Sequence, residues 1–235
     1  MWRHRSTARR LGGALAVAGV VWTSAGCASG AGPAAGPGTG EKAPAGAALP
    51  DERLPAGVPE GFKRVGDATN GVTVSVPRDW AALDLGRDDL DKGLAAAGLS
   101  GRTMREAKDS LRELAASKAV WASDPASVRR SATSFATNLN GFCRPGGAVA
   151  AADLIDVAKD QLHRLDATVT EAGEVPLDEG RGVRIVYMFA SGGVKVHGTQ
   201  YYVPGAGKTC IVTLSTDQQD RQPLFDRIGR TVRPV

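Results

Sequence analysis

Valines at 72, 74 and 76 alternate with Thr73 and Ser75, and Pro77 ends the run. Period-two alternation is the signature of a strand with one buried face, and Trp80 just beyond is expected to pack over the strand end. From Asp88 the period changes. Leu90, Leu94 and Ala97 share one helical side, with Gly98 as a stop. Thr103-Met104-Arg105-Glu106 has capping-box spacing, and Met104, Ala107, Leu111, Leu114 and Lys118 then recur at three and four. Residues 88–118 therefore predict a helical hairpin with one apolar side, serving as sheet cover or as a partner surface. Ser131–Phe142 reads as a strand rich in small polar residues. Leu154, Ile155, Ala158, Leu162 and Leu165 mark an amphipathic helix with Asp156, Asp160 and His163 outward. Val183, Ile185, Tyr187 and Phe189 predict a strand, and Val186 and Met188 make its other face apolar too, as in a central strand. Gly192-Gly193 is a two-residue turn signal, so Val194–Val203 is expected to pair back. Pro204–Gly207 is the next turn, Thr209–Thr216 the next strand, and a helix from about Gln219 to Gly229 turns Leu224, Phe225 and Ile228 inward. Consecutive hairpins require antiparallel pairing. The fold class is α+β, an antiparallel β-sheet flanked by helices.

The N-terminal pattern is of another kind. Arg3, Arg5, Arg9 and Arg10 precede an apolar stretch, Leu11–Trp22, and no acidic residue occurs before Glu41. A membrane-spanning helix needs about 20 apolar residues, so this stretch is too short to remain as an anchor. Ser24-Ala25-Gly26-Cys27 follows. The arrangement resembles a bacterial lipoprotein signal, with a charged region, an apolar region, small residues and the cysteine that receives the lipid. Ser24 stands where such signals usually carry Leu. The expectation is a signal peptide over residues 1–26, acyl chains such as palmitate on Cys27, and an address on the extracytoplasmic face of a membrane. From Ala28 to Pro50 the chain is almost only Ala, Gly and Pro, with Pro55 and Pro59 beyond. Such composition buries too little apolar surface to offset ordering entropy. Residues 27–60 are expected to form a disordered tether with an r.m.s. span of about 30 Å. Residues 61–235 form one domain, long enough to bury a core.

Charge acquires its meaning from that division. The whole chain has 29 Lys+Arg against 25 Asp+Glu, net +4, but residues 1–26 hold four of the basic residues and none of the acidic ones. From Cys27 onward the formal charge is zero. The electrostatic case for nucleic acid goes with the signal, and no polybasic membrane patch remains.

Two cysteines are left after Cys27. In an exported chain Cys143 and Cys210 read as one disulfide, placed at the end of one strand and the start of another. Closing that loop contributes about 4 kcal/mol on the chain-entropy model. Catalytic signatures do not emerge. Pro204-Gly205-Ala206-Gly207-Lys208-Thr209 imitates the end of a phosphate loop, but Tyr202 stands where the first glycine belongs, and a strand follows instead of a helix. His163 and His197 have no partner at metal-ligand spacing, and His197 is expected at the surface on a face with Lys195, Thr199 and Tyr201. Neither G-x-S-x-G nor S-x-x-K occurs. Asp88-Asp89 sit at a helix start, where the dipole accounts for them. No catalytic, cofactor or metal residues are assigned.

The lipobox, the Ala/Gly/Pro tether, the strand ending in Val76-Pro77-Arg78-Asp79-Trp80 and the terminal meander with its closing helix together resemble the actinobacterial LpqN/LpqT-type lipoproteins. Their domain is the PsbP-like α/β/α sandwich. The resemblance covers about residues 61–235, with the 88–118 hairpin as an insertion. It implies no enzyme but an envelope-associated binding or accessory module, attached to the membrane through Cys27 and serving a protein partner at the cell surface. The alternative is a carrier of a lipid or other small apolar ligand in a closed apolar cavity.

Overall fold

The computed structural model describes residues 57–85, 91, 92, 94, 105, 108, 111, 112, 114–147 and 149–235. The signal, Cys27 and the tether as far as residue 56 lie outside the described residues, as do Asp88, Asp89 and most of the capping box at 103–106. Ten strands follow one another among the described residues: β1 Phe62–Val65, β2 Val72–Pro77, β3 Ala81–Asp84, β4 Val120–Ser123, β5 Asn138–Pro145, β6 Thr168–Pro176, β7 Arg181–Ser191, β8 Val194–Gly205, β9 Lys208–Thr216 and β10 Arg233–Pro234. Three labelled helices interrupt them: α1 Ser127–Arg130, α2 Ala151–Arg164 and α3 Gln222–Gly229. Helical residues between β3 and β4 (Asp91, Lys92, Leu94, Arg105, Lys108, Leu111, Arg112 and 114–116) fall within the expected hairpin.

Every pairing is antiparallel. Seven strands form one sheet in the order β3-β4-β5-β9-β8-β7-β6, and β1, β2 and β10 form a second, with β2 in the middle. The α+β class read from the sequence is the class observed.

Two apolar clusters lie on the two faces of the large sheet. On one, Val120, Ala122, Leu139, Val212 and Leu214 meet Val72, Val74 and Val76 of β2 and Phe225 and Ile228 of α3. Trp80 is 2% exposed within that cluster, over the end of β2 as expected. On the other face, Leu83, Trp121, Phe142 and Ile185 meet Ala158 and Leu162 of α2, together with Leu94, Leu111 and Leu114. Those three leucines are turned into the core, so where the hairpin is described it covers the sheet.

Several expectations change. The strand foreseen over Ser131–Phe142 begins only at Asn138. Before it, the Ser131 hydroxyl accepts the backbone N–H groups of Thr133 (3.1 Å) and Phe135 (2.7 Å), a local alternative to ladder bonding. Leu165 is 51% exposed, because α2 ends at Arg164 before Leu165 can face inward. Strand β7 is second from the edge, and Val186 and Met188 on its second face are only half-buried. The strands β1, β3, β4, β6 and β10 had no period to announce them. β4 is buried at all four positions, since Val120 and Ala122 enter one cluster and Trp121 the other. The glycine turn forms as expected: Gly192 and Gly193 have φ of 58° and 82° and join Ser191 to Val194, the double positive φ that matches strand twist.

Candidate functional site

The register of the seven-stranded sheet places directly opposed residues on one face. One row runs Ser123, Asn138, Ser215, Gly198, Tyr187 across β4, β5, β9, β8 and β7. The neighbouring row runs Trp121, Asn140, Thr213, Gln200, Ile185. Trp121, Ile185 and Tyr187 belong to the cluster beneath the helices, so both rows face that side. The middle of this helix-covered face is therefore amide and hydroxyl, not hydrocarbon.

These groups are buried. Ser123, Asn138, Asn140 and Ser215 are 0% exposed, and Gln200 and Thr213 are 2%. Trp121 Nε1, Ser123 Oγ, Asn138 Oδ1, both amide atoms of Asn140, Tyr187 Oη and Ser215 Oγ have no hydrogen-bond partner among the described residues. Each such group costs about 1–3 kcal/mol, and a domain's whole stability is about 5–15 kcal/mol. A native interior ordinarily carries only a few such groups. The rest of the band is engaged: Asn138 Nδ2 donates to Ala136 O at 2.9 Å, and the Tyr202 hydroxyl donates to Gln200 Oε1 at 2.8 Å. Burial pushes the Tyr187 and Tyr202 phenols above their ordinary range, so both are neutral hydroxyls.

Tyr202 also lines a cavity of about 150 Å³ bounded by Val149, Ala151, Leu154, Glu174, Arg181 and Val183. The cavity lies between the start of α2 and strands β7 and β8. Glu174 and Arg181 pair at its rim at 2.9 Å. Tyr202 is hydrogen-bonded to Gln200, but none of the residues of the two polar rows lines this cavity.

Cys143 and Cys210 pair as read. They are directly opposed on β5 and β9 and are bonded, S–S 2.01 Å. The phosphate-loop imitation is a hairpin turn between β8 and β9, and the Lys208 ammonium donates to the Val235 carbonyl. His163 is exposed on α2. The expectation for His197 is corrected in part. Its strand neighbours on the same face, Thr199 and Tyr201, are 1% and 2% exposed beneath α3, and His197 itself is half-buried. Burial, then Lys195, lowers its pKa against the opposing pull of Asp217. Asp217 is engaged elsewhere: its Oδ2 accepts the hydroxyls of Ser131 (2.5 Å) and Thr133 (2.8 Å). This ties the segment before β5 to the end of β9, a structural role. Among the described residues no three His, Cys, Asp or Glu side chains are grouped to hold a metal. No helix among them is long and apolar enough to cross a membrane.

The polar band escaped the sequence reading. Its trace is Asn138-x-Asn140 and Thr213-x-Ser215, polar residues on alternate positions of strands whose other positions are Leu139, Val212 and Leu214. Alternation of that kind ordinarily signals a solvated face.

No protein-family model matches the chain, and no curated protein matches it. Among solved structures it is similar to the cyanobacterial PsbP protein CyanoP of Synechocystis, at 16% identity and TM-score 0.46 over 74% of this chain and 93% of that one. It is also similar to PA94 of Pseudomonas aeruginosa, a protein of unknown function, at 14% identity and TM-score 0.38 over 43% of this chain and 74% of that one. A Bacteroides thetaiotaomicron protein gives 11% identity and TM-score 0.43, with 74% of this chain covering 49% of that one. A PsbP protein is thus one of the chain's structural neighbours. Likeness at this level says nothing of ligand or partner.

Proposed function

We propose that the chain is an exported envelope protein of the LpqN/LpqT type with a PsbP-like domain, lipid-anchored on Cys27, that acts as a non-catalytic binding module. The observation that carries the binding reading is the cavity of about 150 Å³ beside Tyr202, between the start of α2 and strands β7 and β8. Its small size and the Glu174–Arg181 ion pair at its rim do not suit an acyl chain, so the small-ligand reading moves from an apolar guest to a polar one. The Cys143–Cys210 disulfide supports an extracytoplasmic address, since such bonds persist in oxidising compartments. The Ser24–Cys27 lipobox and the Ala/Gly/Pro tether support the anchor.

A protein partner at the envelope is the second reading. Strand β6 is one of the two outer strands of the large sheet and is mostly exposed. An outer strand can accept an added strand from a partner. Leu165, 51% exposed, lies just past the end of α2, the helix that packs on β6.

The test begins with the full-length protein in its own host. Cys27→Ala should move it from the membrane fraction to the soluble fraction. Native mass spectrometry of the protein extracted from the envelope should then show a non-covalent adduct. A bare mass, together with a cross-linked partner mapped to β6, would favour the second reading.

A further inference from the structure

We infer that the cavity beside Tyr202 is a binding site for one free α-amino acid with a short apolar side chain, its carboxylate on Arg181 and its ammonium on Glu174. The inference rests on the binding-module reading and names its ligand class.

Volume sets the size. The cavity holds about 150 Å³, the share of roughly five waters at about 30 Å³ each. That fits one molecule of the size of alanine, valine or proline, and not a peptide or an acyl chain. Its walls are apolar: Ala151 and Leu154 of α2, Val183 of β7, and Tyr202 and Pro204 of β8. Val149 extends them outward and is 46% exposed. A short aliphatic side chain would lose its hydration against these groups. The polar end is supplied by Glu174 and Arg181, the only charged residues on the lining among the described residues. Glu174 stands opposite Val183, and Arg181 lies two residues before Val183, so β6 and β7 hold all three on one face of the sheet. The pair meets through Arg181 Nε and Glu174 Oε2 at 2.9 Å. That contact leaves the terminal guanidinium nitrogens for a carboxylate, a two-bond match, and Glu174 Oε1 for an ammonium. Adjacent opposite charges are what an α-amino acid carries on one carbon, whereas a lone anion or cation would meet one charge of its own sign. Both side chains are about half exposed, 47% for Glu174 and 64% for Arg181, and an exposed ion pair of this kind contributes little by itself, so it can turn toward a guest at small cost. A sugar would be poorly served. Tyr202 carries the only side-chain hydroxyl on the lining, which has no side-chain amide, and that hydroxyl already donates to Gln200 Oε1.

The experiment uses the acylated full-length protein in a detergent without a sugar headgroup. Thermal melting is followed with L-alanine, L-valine and L-proline. In parallel it is followed with isovalerate (valine without its ammonium), isobutylamine (valine without its carboxylate) and glucose. At least one of the amino acids should raise the melting temperature saturably, as binding to the native state does. Isovalerate and isobutylamine should each need at least tenfold higher concentration for the same shift. Arg181→Gln and Glu174→Gln each remove one charge from an exposed pair, so both should fold, and each should weaken the amino acid response at least tenfold in concentration. Ala151→Leu, which narrows the cavity and keeps both charges, should weaken it too. A response to isovalerate, isobutylamine or glucose alone overturns the ligand class and leaves the small-ligand reading standing. An amino acid response undiminished in the three variants is general solute exclusion and overturns the site. No response to any probe, with a bare mass for the protein taken from its envelope, overturns both the inference and the small-ligand reading.

Discussion

The ring of Tyr187 lies over the bare backbone of Gly198, its direct partner across β7 and β8. A Cβ on Gly198 would stand 2.3 Å from Tyr187 Cζ, closer than van der Waals contact permits. The glycine is therefore a seat for the ring, and the ring carries a buried hydroxyl toward the centre of the polar band. Gly198→Ala should displace Tyr187 and cost about 1–3 kcal/mol, as overpacking does, read as a lower urea midpoint at unchanged m-value. Tyr187→Phe removes an unpartnered hydroxyl without changing the ring, so the ligand-free protein should be as stable as wild type or more so. A loss of stability in Tyr187→Phe would show that the hydroxyl has a partner.

The disulfide makes a second prediction. It links directly opposed residues of two central strands and closes a loop with a sequence separation of 67. Replacing Cys143 and Cys210 together by Ser should lower stability by about 4 kcal/mol on the chain-entropy model. Reductant should lower the wild-type urea midpoint to that of the double variant and leave the variant itself unmoved.

Asp226 is the clasp of α3. It accepts the Tyr201 hydroxyl, Arg184 Nη1 and Gln222 Nε2, each at 2.8 Å. The ion pair with Arg184 is partly solvated and contributes little by itself. The larger effect is the Tyr201 hydroxyl, on a side chain 2% exposed, left with only the long 3.4 Å bond to the Phe225 carbonyl. Asp226→Ala should therefore cost about 1–3 kcal/mol, and the additional loss should be small when Tyr201 is already Phe. A double-mutant cycle on thermal unfolding reads this coupling.

His197 predicts a pH effect with a definite sign. Its pKa is lowered in the folded state by burial, then by Lys195. Below about 6.5, the ordinary histidine value, the unfolded chain binds a proton that the folded chain resists. The contribution of His197 to stability is thus complete above that value and declines as the pH falls from it toward the lowered folded pKa. His197→Gln should flatten the stability profile in that window and leave it unchanged at pH 8. Denaturation midpoints at a series of pH values measure it.

Ser131 is the fifth test site. Its hydroxyl donates to Asp217 and accepts the N–H groups of Thr133 and Phe135. Ser131→Ala should cost about 1–2 kcal/mol through the lost turn bonds, and amide exchange should quicken at Thr133 and Phe135 before it changes in β5.

Residue order alone determined much of this protein. Val72-x-Val74-x-Val76, the Gly192-Gly193 turn, the apolar stripe from Leu154 to Leu162 and the closing helix with Phe225 and Ile228 are local patterns whose period dictates local structure. A chain of hairpins then dictates antiparallel pairing, and two leftover cysteines in such a chain dictate their bond. The short strands were different. Val120-Trp121-Ala122-Ser123 is a strand because the sheet and the layers on both sides of it exist, not because four residues carry a period. Ser131–Thr137 has the composition of a strand, but side-chain bonds to its own backbone took the place of a ladder. The polar band belongs wholly to tertiary structure. Asn138 and Asn140 alternate with buried neighbours as solvated residues do, and only packing decided that both faces of β5 would be covered. Whether a polar face meets water or a helix depends on which element crosses it, and that is a long-range relation that no local period encodes.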